Sequence, residues 1–125
     1  MSGPAPLPPA TVLVLDRDDW LYVYTSFAHV TNDLEAIDVA EGEYTAYAPD
    51  GRVLALTAPG GRRGPVVLAR TEEFDPVGLE RRVARSWRRH HPRHPPLGPA
   101  ETARRFLDEE SRPREGWGAR LPKRG

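Results

Sequence analysis

Residues 43–57 read EYTAYAPDGRVLALT, and this stretch decides the fold class. The two flanking runs are rich in β-branched, aromatic and aliphatic residues, a composition typical of strands. Between them, Asp50 and Gly51 form an Asp-Gly step, which readily supplies the positive φ of a tight hairpin turn. The stretch therefore predicts an antiparallel hairpin with strands over residues 43–48 and 52–57.

Three further segments have the composition of strands. Residues 11–15 (TVLVL) and 20–24 (WLYVY) are short apolar runs joined by the acidic loop 16–19 (DRDD), so they predict a second hairpin. After a loop rich in Gly, Pro and Arg, residues 65–69 (PVVLA) predict a fifth strand, bounded by Arg70. Because the strands follow one another through short connections, we expect an antiparallel sheet of about five strands.

Helical spacing of apolar residues predicts two helices, and a weaker pattern predicts a third. Ser26 and Asp75 are favoured N-cap residues, and Pro76 suits the first position of a helix. A third, short helix is predicted over residues 99–110. The apolar positions are Phe27, Val30, Leu34 and Ile37 in the first helix, Leu79, Val83 and Trp87 in the second, and Ala103, Phe106 and Leu107 in the third.

The predicted elements indicate an α+β fold, in which two or three helices pack on one face of a small antiparallel sheet. Residues 1–9 are rich in proline and predict a flexible N-terminus. Residues 10–90 hold most of the apolar side chains and predict a single domain. Residues 91–125 form an extension rich in Pro and Arg, and its last part, 111–125, resembles a disordered tail.

Composition excludes several classes of protein. The chain of 125 residues has no cysteine, so disulfide scaffolds, thiolate metal sites and cysteine nucleophiles are excluded. No apolar run approaches the length of a membrane-spanning helix, and residues 1–9 lack the pattern of a secretory signal, so we expect a cytoplasmic protein without a membrane partner. His90, His91 and His94 lie among arginines that oppose a metal ion, so we predict no metal site and no cofactor.

Charge is divided unequally along the chain. Residues 1–60 carry nine acidic and two basic residues, whereas residues 61–125 carry 16 basic and nine acidic residues. Such a separation attracts an oppositely charged partner or docks one half of the chain on the other. The candidate acidic face consists of Asp33, Glu35, Asp38, Glu41 and Glu43. The candidate basic residues are Arg62, Arg63, Arg81, Arg82, Arg85, Arg88 and Arg89.

One short motif resembles an enzyme family. The apolar run 12–15 followed by Asp16, Arg17 and Asp18 is similar to the first motif of the haloacid dehalogenase-like phosphotransferases. The resemblance implies a nucleophilic Asp16 and an acid/base Asp18 beside magnesium. That family also needs a lysine in its core, but the only lysine is Lys123, and the predicted core is too small for its parallel sheet. We therefore interpret the loop as an acidic hairpin turn and predict no catalytic residues.

These observations predict a non-enzymatic protein-interaction module that presents its acidic face to a basic partner. Inhibitors and immunity proteins offer an analogy of size and charge. The alternative is a nucleic-acid-associated protein that uses the arginine-rich helix 76–90 and the basic C-terminal extension. An enzyme is the third interpretation. Apart from binding a partner, the arginines are interpreted as a solvated face or as partners of the acidic half of the same domain.

Overall fold

A computed structural model describes residues 7–93, 95 and 97–110, and these residues form one sheet covered by helices. The strands are β1 (Val12–Asp16), β2 (Leu21–Tyr24), β3 (Tyr44–Tyr47), β4 (Arg52–Thr57) and β5 (Val67–Phe74). The helices are α1 (Phe27–Asp33), α2 (Ala36–Ala40), α3 (Pro76–His90) and α4 (Pro99–Glu110), and a 3₁₀ turn spans Gly61–Arg63.

The sheet has the order β2-β1-β3-β4-β5, and all neighbouring strands are antiparallel. The hairpin predicted from residues 43–57 is present, with Tyr47 opposite Val53. Gly51 has a φ of 98° in its turn, and an added Cβ would lie 2.6 Å from Cα of Pro76, where α3 begins. Glycine is therefore required here both by the backbone conformation and by the closeness of α3. The predicted α+β class with five antiparallel strands is confirmed.

The helices, however, cover both faces of the sheet rather than one. All five residues of β1 are buried. Leu13 and Leu15 belong to a cluster with residues of α3 and α4, whereas Val12 and Val14 belong to a second cluster with residues of α1 and α2. Successive side chains of a strand point to opposite faces, so an uninterrupted apolar run such as VLVL, residues 12–15, requires cover on both sides. The prediction of one covered face was wrong for this reason.

The first predicted helix is divided into α1 and α2. Leu34 has an extended conformation with φ −85° and ψ 142°, and it ends α1. This bend lets Val30 of α1, Leu34 itself and Val39 of α2 all enter the same apolar cluster. A straight helix carries its apolar stripe in one line. The free energy gained by burying Leu34 in the core therefore exceeds the free energy gained by continuing α1 as one straight helix.

Strand β5 continues to Phe74, beyond the predicted boundary at Arg70. The pairing with β4 is irregular here, because three residues of β5 lie opposite the single Val53 between the pairs Leu54–Arg70 and Arg52–Phe74. The Thr71 hydroxyl donates to the Val53 carbonyl at 2.6 Å and so replaces a backbone hydrogen bond. This bulge allows the strand to extend to the start of α3.

Helix α4 has the predicted bounds and contributes to the core. Ala103 and Phe106 are buried in the cluster that contains Trp87 of α3. Leu7 packs against the same cluster from the N-terminal segment. The apolar core therefore extends past residue 90. The predicted tail, residues 111–125, and residues 1–6 lie outside the described residues.

Candidate functional site

The loop between β1 and β2 is organised by the carboxylate of Asp16. Its Oδ1 accepts the backbone N–H groups of Asp18 and Trp20 at 2.9 and 3.0 Å, and its Oδ2 accepts the Tyr22 hydroxyl at 2.9 Å. Asp16 is buried, whereas Asp18 is exposed. Both oxygens of the supposed nucleophile are thus engaged in holding a turn, as is usual for aspartate in this setting. The geometry agrees with the interpretation of residues 16–19 as a hairpin turn.

Asp19 in this loop connects the acidic half of the chain with the arginine helix. Its Oδ1 lies 3.3 Å from Nε of Arg85, and its Oδ2 lies 3.2 Å from Nη1 of Arg89. Asp19 is only 7% exposed and has a φ of 65°, a left-handed conformation that aspartate tolerates better than most residues. One nearly buried carboxylate therefore holds two arginines of α3.

His90, at the end of α3, contacts the same loop. Its imidazole stacks on the Trp20 indole with ring centroids 3.4 Å apart and an angle of 14° between the planes. Nε2 of His90 lies 2.9 Å from the carbonyl oxygen of Asp18, which can only accept, so Nε2 carries the proton. We call Asp18, Asp19, Trp20, Arg85, Arg89 and His90 the loop clamp. It joins two segments that lie far apart in sequence, since 66 positions separate Asp19 from Arg85.

The acidic face lies along α1, α2 and the turn that follows, and the protein itself engages part of it. The Tyr24 hydroxyl donates to Asp33 at 2.6 Å. Arg17 lies 3.7 Å from the Glu43 carboxylate and also donates to the Glu41 carbonyl at 2.5 Å. Glu35 and Glu41 are exposed, and neither carboxylate forms a hydrogen bond or ion pair in the described part of the chain. Asp38 is half-buried and has partners of its own.

Tyr24 is the group whose ionisation the fold changes most clearly. Burial of its ring, followed by the hydrogen bond to Asp33 and the negative charge of that residue, raises the pKa of Tyr24 far above its usual range. The phenol therefore stays protonated and donates to Asp33 under all ordinary conditions. It ties the acidic face to β2.

The seven candidate arginines do not form one surface. Arg62 and Arg63 lie in the 3₁₀ turn, which packs against α2 on the side of the sheet that carries the acidic face. The other five lie on α3, which covers the opposite face of the sheet. Of these five, Arg85 and Arg89 are engaged by Asp19, Arg82 is half-buried, and Arg81 and Arg88 are exposed.

Nε of Arg82 is buried and has no hydrogen-bond partner among the described residues. Its position on α3 is three residues before Arg85 and seven before Arg89, so the three side chains share one flank of the helix. Two of them converge on Asp19, which leaves Arg82 without a carboxylate.

The histidines serve packing in the part of the chain that the structure describes. His91 lies beside Trp87 and faces the edge of Phe106, so it belongs to the contact between α3 and α4. Within that part, no three side chains of His, Asp or Glu are grouped as a metal site. His94 lies outside the described residues. Among the described residues, no helix has both the length and the apolar character needed to cross a membrane.

Sequence reasoning missed an exposed edge of the sheet. The large apolar side chains Val67, Phe74 and Val77 are 40%, 50% and 61% exposed, and all three lie in β5 or at the start of α3. Phe74 lies beyond the predicted end of the strand at Arg70, so the sequence did not predict its exposure at a sheet edge. A signal was present, because neither Phe74 nor Val77 fits the stripe of Leu79, Val83 and Trp87.

Comparison with family models, curated proteins and solved structures finds no match to this chain.

Proposed function

We propose that the protein is a cytoplasmic, non-enzymatic interaction module that binds a basic protein partner through the acidic face. The observation that carries the proposal is a contrast between two surfaces. Arg85 and Arg89 of the arginine helix form ion pairs with Asp19, whereas the exposed carboxylates of Glu35 and Glu41 form no hydrogen bond or ion pair with a described residue. Three of the five acidic residues have partners within the protein, and the carboxylates of Glu35 and Glu41 are the ones that the acidic face offers to a partner.

The position of the free carboxylates supports a role in binding. Glu41 ends α2, where the helix carbonyls carry partial negative charge, so its carboxylate does not stabilise the helix. Glu35 precedes α2 but makes no capping hydrogen bond with its side chain. Neither carboxylate forms a hydrogen bond or ion pair in the described part of the chain, and exposed charges of one sign attract a partner of the opposite sign.

The arginines of α3 do not neutralise this face. The acidic face and α3 lie on opposite faces of the sheet, and a helix packs about 10 Å from the sheet that it covers. Exposed charges separated by more than about 8 Å are largely screened at physiological salt. A basic partner that approaches α1 and α2 is therefore little affected by the α3 arginines, and it meets Glu35 and Glu41 on the side of the sheet that also carries Arg62 and Arg63.

The distribution of arginines is unfavourable for the alternative, a protein that binds nucleic acid. A phosphate backbone is bound by several cations on one continuous surface. Here Arg62 and Arg63 lie on one side of the sheet and the α3 arginines on the other, and two of the latter are already paired. An inhibitor or immunity protein that masks a basic surface fits the charge and size better, by analogy only.

The test uses matched charge variants. The chain serves as bait for partners from its own cells, and a recovered basic protein is purified and titrated against each variant. We expect Glu35→Lys with Glu41→Lys to weaken this binding about tenfold or more, since like charges replace attraction at the contact. The control, Arg81→Gln with Arg88→Gln, should bind like the parent, because these exposed residues lie on the opposite side.

Duplex DNA is the second titrant. We expect the parent to bind it no more tightly than the nonspecific range, with a Kd of about 1 to 100 μM at physiological salt. Tighter binding that the Arg81→Gln, Arg88→Gln variant loses would overturn the proposal in favour of the nucleic-acid alternative. Retention of the basic partner by the Glu35→Lys, Glu41→Lys variant would overturn it as well.

A further inference from the structure

Strand β5 is an edge of the sheet that the described residues leave open. The sheet order places β2 at one edge and β5 at the other, and α4 lies beside β2. Edge strands are usually short, or carry lysine or proline that prevents pairing with another chain. Strand β5 has eight residues, contains neither lysine nor proline, and exposes Val67 and Phe74 near its two ends, and its one protective irregularity is the bulge at residues 71–73.

The free backbone groups of this edge can be assigned. The carbonyl of Thr71 accepts Nη1 of Arg52 at 2.6 Å, and its hydroxyl donates to Val53, so Thr71 faces β4. The N–H of Glu73 donates to the same hydroxyl. Successive residues of a strand direct their N–H and C=O groups to alternate edges, so we expect those of Arg70, before the bulge, and of Glu72, within it, to point away from β4. Both side chains are exposed, and the Arg70 guanidinium carbon lies 5.7 Å from the centre of the Phe27 ring.

We propose that two copies of this chain associate through antiparallel pairing of β5 about a two-fold axis at Thr71, which joins the two sheets into one. In this register Arg70 lies opposite Glu72 of the second copy, and Glu72 lies opposite Arg70. Leu68 lies opposite Phe74 in the same way. A two-fold contact of this kind needs a surface complementary to itself, which the Arg70 and Glu72 pair supplies.

Charge also selects this register. An axis one residue nearer the N-terminus places Arg70 opposite Arg70, and an axis one residue nearer the C-terminus places Glu72 opposite Glu72. Like charges directly opposite each other on paired strands are destabilising, whereas opposite charges are favourable. Of these three axes, the one at Thr71 places Arg70 opposite Glu72 twice, at positions whose backbone groups face the second copy.

The test is sedimentation equilibrium of the full chain and of charge variants over a range of concentrations. We expect the parent to reach twice the monomer mass. Arg70→Glu and Glu72→Arg should each weaken association about tenfold or more, because each replaces two attractive pairs by two repulsive ones. The double variant, Arg70→Glu with Glu72→Arg, should recover the association of the parent. The matched control is Arg88→Glu, at an exposed position of α3, which should leave the association of the parent unchanged.

A backbone variant tests the same edge without charge reversal. Glu72→Pro removes an N–H that faces away from β4, a position where an edge strand tolerates proline. We expect a folded monomer, with the far-ultraviolet circular dichroism of the parent. The proposal is overturned if the parent keeps the monomer mass throughout, if the single charge variants associate like the parent, or if the folded double variant associates no better than the singles.

Discussion

The carboxylate of Asp19 lies 3.3 Å from Nε of Arg85, and this ion pair joins the turn between β1 and β2 to the second half of α3. The same carboxylate holds Arg89, and the neighbouring Trp20 stacks on His90. The arginine helix is thus attached at its C-terminal end to the acidic loop, while its apolar stripe attaches it to the sheet. One of the interpretations left open by the charge distribution, pairing of the two halves within one domain, is realised here.

Substitutions of Asp19 should separate charge from backbone conformation. Asp19→Asn keeps a side chain that tolerates positive φ, so we expect only loss of the charge, about 1 kcal/mol of unfolding free energy, because both arginines are more than half exposed. Asp19→Ala should cost about 1 to 2 kcal/mol more, since alanine is strained at a φ of 65°. Urea denaturation measures both values. Equal losses would show that the backbone conformation relaxes without strain.

The two aspartates of the phosphotransferase-like motif should differ strongly in their effect on stability. Asp16→Asn loses charged acceptors for two backbone N–H groups and the Tyr22 hydroxyl, so we expect a loss of about 1 to 3 kcal/mol. Asp18→Asn, on an exposed side chain, should change the unfolding free energy by less than about 0.5 kcal/mol. Thermal and urea unfolding test the stability.

The same pair tests the non-enzymatic proposal. We expect the parent to hydrolyse no aryl phosphate in the presence of magnesium. Turnover by the parent that Asp16→Asn abolishes and that scales with purified protein would contradict the proposal, and would assign Asp16 a role beyond holding the turn.

Helix α4 should be needed for stability. Phe106→Ala removes a ring that is buried against the cluster containing Trp87, and we expect a loss of about 3 kcal/mol. The neighbouring Leu107 is only half-buried, so Leu107→Ala serves as a control with a smaller loss.

Deletion of residues 111–125, which the sequence predicts to be a disordered tail, should leave the thermal midpoint within about 3 °C. A large effect of that deletion would show that the tail contributes to the fold.

The raised pKa of Tyr24 predicts a loss of stability in alkali. Below the pKa of an unfolded tyrosine, about 10, both states hold the proton and Tyr24 adds no dependence on pH. Above about pH 10 the unfolded phenol ionises while the buried one stays protonated, so the unfolding free energy falls by up to about 1.4 kcal/mol per pH unit. Urea unfolding at a series of pH values measures this slope. Tyr24→Phe should have a smaller slope, and an unchanged slope would assign the effect to other groups.

Local features of the fold could be predicted because the interactions that form them lie close together in sequence. The hairpin at Gly51 needs only its own turn, and the helix starts are set by hydrogen bonds across three residues. Ser26 Oγ accepts the N–H of His29 at 3.1 Å, and Asp75 Oδ1 accepts the N–H of Gly78 at 3.0 Å. The sequence by itself therefore determined the strands, the caps and the α+β class.

What only the tertiary structure decided is which of these surfaces meet. The division of helices between two faces follows from the burial of β1 on both sides, and the bend at Leu34 follows from its place in the core. The pairing of Asp19 with Arg85 spans 66 residues, and no local pattern distinguishes Asp19 from Asp18. A count of charges along the sequence does not distinguish the acidic and basic residues that are available to a partner from those that are paired within the protein. Packing decides which charged side chains form ion pairs within the protein and which remain for a partner, because an ion pair needs both groups within a few ångströms.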